Sequence, residues 1–273
     1  MNPHASPLAV VFDLGNTLWF EAWRPSEDDV WRLEADAVRP LIAGWGVTLP
    51  LAAEDLLRDI WRAYELAFAH ERTRGGLRDP SLPALIRAGL AEHGVAVTPA
   101  QAEDWWRASW IHAHQFGMQL YPDTLDVLRA LKDLGLLIAL NTDRPCTADM
   151  LERDLPHFGL AGLVDAVVCS GDTGFTKPHP STFELALRKL DVPADRAVMV
   201  GDSCERDCGG AKALGMTTVL KLNGRYDVKP CVEADHTIHD LAELLALPIF
   251  GAHRHSLAAD SPTPHDDNNA DRY

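Results

Sequence analysis

Leu8-Ala9-Val10-Val11-Phe12 is an unbroken apolar run that stops at Asp13, and Leu14-Gly15-Asn16-Thr17-Leu18 follows. A short apolar run ending in polar residues and glycine reads as a buried strand leaving the core. Over residues 22–118 the period becomes helical. Val30, Leu33, Ala37, Val38, Leu41, Ile42 and Trp45 recur at helical spacing, with Glu34 the one interruption. Leu56, Leu57, Ile60, Trp61, Tyr64, Ala67 and Phe68 repeat the pattern without a break. Thr98-Pro99-Ala100-Gln101 has the form of a capped helix start, and the helix it opens carries Trp105, Trp106 and Trp110. Such an aromatic stripe reads as core.

From about residue 121 the pattern alternates. Strand-like runs are predicted at Leu136–Leu140, Leu163–Cys169, Ala197–Val200 and Thr217–Leu220. Amphipathic helices are predicted at Thr124–Leu134, Pro180–Leu190, Glu205–Leu214 and Leu241–Leu247. This alternation predicts an α/β fold, a doubly wound parallel sheet covered on both faces. The expected division is an α/β core from residues 1–21 and 119–250, an all-helical insertion at 22–118, and a disordered tail at 251–273. An insertion that leaves and re-enters beside the end of the first strand lies over that edge of the sheet as a lid.

Composition narrows the partners. A net charge of −15 over 273 residues disfavours nucleic acid and anionic membranes, which attract basic surfaces. No apolar stretch approaches the roughly 20 residues of a membrane span. The N-terminus shows no secretory signal pattern, so a cytoplasmic location is the expectation. Five cysteines, an odd number in a chain of this length, do not suggest a disulfide framework. Cys204 and Cys208, flanking Asp207, read as small buried thiols near a turn.

The chemistry lies where strands end. Ala197-Val198-Met199-Val200 runs into Gly201-Asp202-Ser203, with Asp207 beyond. Parallel strands deliver such residues to one edge of a sheet. Acids gathered there repel one another unless a cation neutralises them, and Mg²⁺ favours carboxylate oxygens.

Four segments together resemble the haloacid dehalogenase (HAD) superfamily. They are Asp13-Leu14-Gly15-Asn16-Thr17, Thr142 at a strand end, Lys177-Pro178-His179-Pro180 ahead of a helix, and Gly201-Asp202-Ser203 with Asp207. Their order extends over about 200 residues, and the likeness spans roughly residues 8–247, with the helical insertion in the place of the family's type 1 cap. The resemblance implies that Asp13 attacks phosphorus and forms an aspartyl-phosphate. It implies Mg²⁺ held by Asp13, the Gly15 carbonyl and Asp202, with Asp207 ligating through water or orienting its loop. Thr142 would donate to a phosphoryl oxygen, and Lys177 would neutralise Asp13 and the phosphoryl group. Asn16 and Thr17 would line the substrate. The implied partner is a small phosphorylated metabolite.

Two further features bear on substrate. His70-Glu71-Arg72-Thr73-Arg74-Gly75-Gly76-Leu77-Arg78 is a basic, glycine-containing loop, and Arg72 and Arg74 are candidates to close over an anion. Trp19, Phe20, Trp23 and Arg24 would flank the cleft entrance.

The chain departs from the family's phosphatases at Gly15, where a second Asp usually protonates the leaving group. Losing that acid costs typically ~10²–10⁴-fold. Substitute donors are Glu21, Asp143, His112 and His114. The alternatives are a silent protein that binds phosphate and Mg²⁺, and a 2-haloacid dehalogenase. Asp202 and Asp207 behind Gly201 speak against the dehalogenase.

Overall fold

The computed structural model describes residues 7–223 and 231–251. Strand β1 (Ala9–Phe12) leads into a short ribbon, β2 (Trp19–Glu21) paired antiparallel with β3 (Met118–Leu120). Between β2 and β3 lie four helices: α1 (Glu27–Gly44), α2 (Ala53–Thr73), α3 (Leu82–Glu92) and α4 (Pro99–Ser109). The chain then alternates through α5 (Thr124–Asp133), β4 (Leu137–Thr142), α6 (Ala148–Glu152), β5 (Ala166–Cys169), α7 (Ser170–Thr173) and α8 (Pro180–Leu190). It closes with β6 (Ala197–Gly201), a π-helical turn (Cys204–Gly209), α9 (Gly210–Ala213), β7 (Thr217–Lys221) and β8 (His236–Ile238).

Six strands form one parallel sheet in the order β5-β4-β1-β6-β7-β8. The chain order reverses beside β1, which makes its carboxyl end the switch point where α/β sheets bind ligands. Phe12 is in register with Leu140 on one side and Val200 on the other. Asp13 therefore leaves the sheet between Asn141 and Gly201, and its amide donates to the Val200 carbonyl at 2.9 Å.

The all-apolar character of β1 follows from burial on both faces. Val10 and Phe12 point into one cluster with Ile138, Leu140, Val198 and Val200. Ala9 and Val11 point into the other, against Phe183, Ala186 and Leu190 of α8. The first cluster continues without a break into the insertion, taking in Val38, Leu57 and Trp105. The tryptophan stripe is thus core, with Trp105 and Trp106 both buried. The Thr98 capping box forms as read: Thr98 Oγ1 accepts from Gln101 N at 3.2 Å, and Thr98 N donates to Gln101 Oε1 at 2.8 Å.

Several expectations need correction. The ribbon and β8 are strands that the apolar pattern does not reveal. The run at Leu163–Cys169 yields a strand only from Ala166, because Gly162 takes a left-handed turn (φ +78°) and the Asp165 side chain accepts the Ile138 amide at 2.7 Å. Glu205–Leu214 is not one α-helix but a π-helical turn followed by α9. Leu241–Ala246 is a 3₁₀ helix. Cys204 is no free thiol: it is disulfide-bonded to Cys231, while Cys146, Cys169 and Cys208 are free and buried. An odd count argues against a framework but not against one crosslink made by the folded chain. The expected disordered tail, apart from Gly251, lies outside the described residues. No helix among the described residues is long and apolar enough to cross a membrane.

Glu34, the interruption in the α1 pattern, is buried and accepts one hydrogen bond, from Trp61 Nε1 at 3.1 Å. Burial pushes its carboxyl from 4.5 up to about 8. The folded state thus holds this proton more tightly than the unfolded chain. That contribution to stability is full below about 4.5 and is lost as the pH rises to about 8. Glu34→Gln, which stays neutral, is expected to match wild type near pH 4.5 and to melt higher at pH 8.5. The gain is at most about 5 kcal/mol, from roughly 1.4 kcal/mol per unit, and thermal unfolding across that range measures it.

Candidate active site

The site is organised around Lys177, which is 1% exposed. Its ammonium donates to Asp13 Oδ1 at 2.6 Å, to Asp207 Oδ1 at 2.7 Å and to the Asn141 carbonyl at 2.9 Å. These partners come from the ends of β1 and β4 and from the π-helical turn after β6. All three ammonium donors are thereby used. Lys177 itself is placed by its own backbone, whose amide donates to Asp143 Oδ1 at 2.8 Å, and it precedes a cis peptide to Pro178.

Asp13 is held at both oxygens. Oδ1 takes Lys177, and Oδ2 accepts the Thr17 hydroxyl at 3.2 Å. Thr17 is fully buried, so its contact is with Asp13. Asn16 sits in the left-handed region (φ +56°), which asparagine tolerates. Its carbonyl accepts from the side-chain amide of Asn223, two residues past the end of β7. Asp207 Oδ2 accepts the Ser203 amide at 2.9 Å. Gly201 permits this, because a β-carbon there would overlap the Asp207 carboxylate. The added residue of a π-helical turn is what carries Asp207 back toward the sheet.

One ligand atom from each of Asp13, Asp202 and Asp207 lies within 4.8 Å of the others. Three carboxylates here face one ammonium. Burial, reinforced by Asp207 and Asp202 and opposed by Lys177, pushes Asp13 up to about 7. Burial works to depress Lys177, but Asp13, Asp207 and Asp143 overcome it and hold the ammonium above its ordinary range. A hard oxygen donor set with surplus negative charge fits Mg²⁺. Thr142 ends β4, in register with Cys169 of the next strand and next to Asn141.

Gly15 is exposed, and a β-carbon there would meet nothing within 4 Å. An aspartate would therefore fit. Of the four candidate substitutes, Glu21 is paired with Arg24 at 2.7 Å. His112 Nδ1 lies 2.9 Å from the buried Asp154, and His114 stacks on His157 with ring centroids 4.0 Å apart. Asp143 alone is tied to the site, through the Lys177 amide, and burial raises its carboxyl above the usual range.

Arg72 and Arg74 are exposed, and the Arg72 guanidinium lies 5.8 Å from the Phe68 ring centroid. The loop meets the rest of the chain further on. The Leu77 carbonyl accepts the Thr176 amide, and the Asp79 amide donates to the Gly174 carbonyl, both at 2.9 Å. Arg78 lies over the Phe175 ring at 5.3 Å. The loop after α2 is thus bridged to the segment that delivers Lys177. Asp79 escapes sequence reasoning, because Asp-Pro-Ser before a helix reads as a turn and cap. Its burial is made by this packing.

Ribulose-1,5-bisphosphate 5-phosphatase of Halopiger xanaduensis is 35% identical over 170 residues, 59% of this chain and 70% of that one. A glyceraldehyde 3-phosphate phosphatase of Methanopyrus kandleri is 28% identical over 230 residues, 81% and 87% of the two chains. Among solved structures, 2-haloacid dehalogenase of Pseudomonas syringae superposes with a TM-score of 0.56 at 24% identity, covering 89% of this chain and 98% of that one. That likeness speaks to the fold alone. The sequence profile of the haloacid dehalogenase-like hydrolases matches residues 7–215, and the chain belongs to that family of hydrolases.

Proposed function

We propose that this chain is a Mg²⁺-dependent phosphohydrolase that cleaves a small phosphate monoester or acyl phosphate through an aspartyl-phosphate on Asp13. The observation that carries this reading is the convergence of Asp13, Asp202 and Asp207 with the Lys177 ammonium at one sheet edge. Phosphatase-named relatives agree with it.

The Asp13 carboxylate attacks phosphorus, the bond to the leaving oxygen breaks, and water later hydrolyses the acyl phosphate. Lys177 favours the charged form of Asp13 against the opposing effect of burial and offsets charge on the transferring group, which Thr142 helps to hold. Thr17 fixes the Asp13 rotamer. Asp13, Asp202, Asp207 and the Gly15 carbonyl would hold Mg²⁺, which supplies charge neutralisation for the phosphoryl oxygens. The insertion α1–α4 serves as the helical cap, and its loop after α2 meets the catalytic edge.

Gly15 supplies no proton to the departing oxygen. The natural substrate therefore has a good leaving group, as acyl phosphates do, or brings its own donor. A second reading, binding without turnover, rests on the same position.

Three outcomes test this. An aryl phosphate should be hydrolysed with Mg²⁺ and not in chelator, and Asp13→Asn should lower the rate by about 10³-fold or more. Metal-independent turnover, or an active Asp13→Asn protein, defeats the proposal. Asp13 holds a proton up to about 7, so below that pH the metal must displace it. Apparent Mg²⁺ affinity, measured calorimetrically, should fall by about tenfold per pH unit below 7 and be steady above it. Gly15→Asp should raise turnover of alkyl phosphates by about 10²–10⁴-fold while changing aryl phosphates far less. Binding of phosphate with no turnover by either protein would favour the second reading.

A further inference from the structure

Arg144 follows the end of β4 by two residues and is half-buried. Its guanidinium carbon lies over the Trp19 ring, 5.0 Å from the centroid. Among the described residues the guanidinium makes no hydrogen bond and no ion pair. Other half-buried arginines differ. Arg206 has Asp143 Oδ2 at 3.5 Å, and Arg107 has Glu103 at 2.9 Å and Asp149 at 2.5 Å. The chain holds 40 acidic residues against 25 lysines and arginines, so Arg144 does not lack a carboxylate for want of acids.

Its position ties it to Asp13 from two sides. The Asn141 carbonyl, three residues earlier, accepts from the same Lys177 ammonium as Asp13. Trp19 closes the turn that Asp13 opens: its amide donates to the Leu14 carbonyl at 3.1 Å, and its carbonyl accepts the Asn16 amide at 2.7 Å. The guanidinium therefore bridges the end of β4 and the turn after β1, neighbouring strands about 4.8 Å apart. Its backbone is held as well. The Arg144 carbonyl accepts the Cys146 amide at 2.7 Å and the Gly171 amide at 3.4 Å. A β-carbon at Gly171 would overlap the Cys146 carbonyl, so glycine lets the two loops meet. One residue on, the Pro145 carbonyl accepts Trp106 Nε1 at 3.1 Å, which brings the insertion against this same strap. A half-buried cation has lost part of its hydration. The Trp19 face offsets some of that loss. Stacking uses none of the guanidinium's N–H donors, which form a planar fork matched to carboxylate and phosphate oxygens.

We infer that Arg144 receives a second anionic group of the substrate, a carboxylate or a second phosphoryl group, while Asp13 meets the first phosphoryl group. The inference rests on the phosphohydrolase reading for where that first group sits, and it narrows the substrate to a bis-anion. Trp19 orients the guanidinium, and the fork donates to the second anion. The assignment agrees with Gly15. An acyl phosphate that carries a terminal anion departs as a carboxylate, which needs no proton from the protein. Phosphate esters of neutral alcohols leave the fork unfilled.

Phosphonates are not hydrolysed, so binding is read apart from turnover. Wild-type protein with Mg²⁺ is titrated calorimetrically with 3-phosphonopropionate, 4-phosphonobutyrate and propane-1,3-diphosphonate. The carboxamides of the first two, which keep the shape without the second charge, are the comparison. The best-fitting bis-anion is expected to bind about 10- to 100-fold tighter than the carboxamides. Whether a carboxylate or the diphosphonate binds tightest names the second group. In Arg144→Gln the ratio should fall below about threefold through weaker binding of the bis-anion. Arg144→Lys, which keeps the charge but not the fork, should retain part of it. A wild-type ratio near one, no binding of the bis-anions, or a ratio that survives Arg144→Gln overturns the inference. Equal weakening of both kinds of ligand also overturns it, since that marks Arg144 as a support for Trp19. Should Arg144→Gln fail to fold, Arg144→Lys decides, and a preference it leaves whole overturns the inference. Aryl phosphate hydrolysis by the same protein tests the parent reading. Hydrolysis without bis-anion preference sinks the Arg144 assignment alone, and bis-anion preference without hydrolysis of any phosphate sinks the catalytic reading alone.

Discussion

An ammonium group removed from water holds this molecule's working edge together. Lys177 is bonded at once to Asp13, to Asp207 and to the Asn141 carbonyl, so it ties the ends of β1 and β4 to the turn after β6. Removing one member of such a set leaves buried charge uncompensated, at a cost of about 3–5 kcal/mol. The surrounding details follow from this demand. Gly201 lets Asp207 come close, the π-helical turn brings it back, and Asp143 pins the lysine's own backbone. The surplus of carboxylates over ammonium is a charge that a divalent cation would offset.

The sheet makes that arrangement reachable. Because β1 sits between β4 and β6, residues separated by up to about 190 positions emerge side by side. The insertion is attached where its helices meet the same edge twice. The β2–β3 ribbon closes its base, and Leu77–Asp79 bridge to Gly174–Thr176, immediately ahead of Lys177. A loop belonging to the helices therefore shares backbone hydrogen bonds with the segment that positions the key cation.

Much of this was legible in the sequence, for physical reasons. A strand buried on both faces must be apolar throughout, so β1, β4, β6 and β7 showed as runs. The α8 helix was read to its ends, since Pro180 opens it and Asp191 in the left-handed region closes it. Asp13, Asp202 and Asp207 were visible because they follow strand ends marked by glycine, whereas Lys177, in the loop ahead of α8, stood out only through the four-segment resemblance. What stayed hidden has no local signal. Three-residue strands such as β2, β3 and β8 are too short to show a period. The Asn141 contribution is a carbonyl, which any residue has. Asp79 reads as a turn residue until α2 and the Gly174 segment bury it. The part of Thr17 differs from the one inferred because its hydroxyl turns inward to Asp13.

The bond between Cys204 and Cys231 has a wider bearing. It joins residues 27 apart and closes a covalent ring that contains Asp207, α9 and β7. Loop-closure arguments give such a ring about 3–4 kcal/mol, exerted on the denatured ensemble. Thiol-disulfide exchange in a reducing milieu opens the ring, and both half-cystines are partly solvent-accessible. The persistence of the acidic turn thus answers to the electron poise of its surroundings, a variable that the carboxylates themselves do not sense.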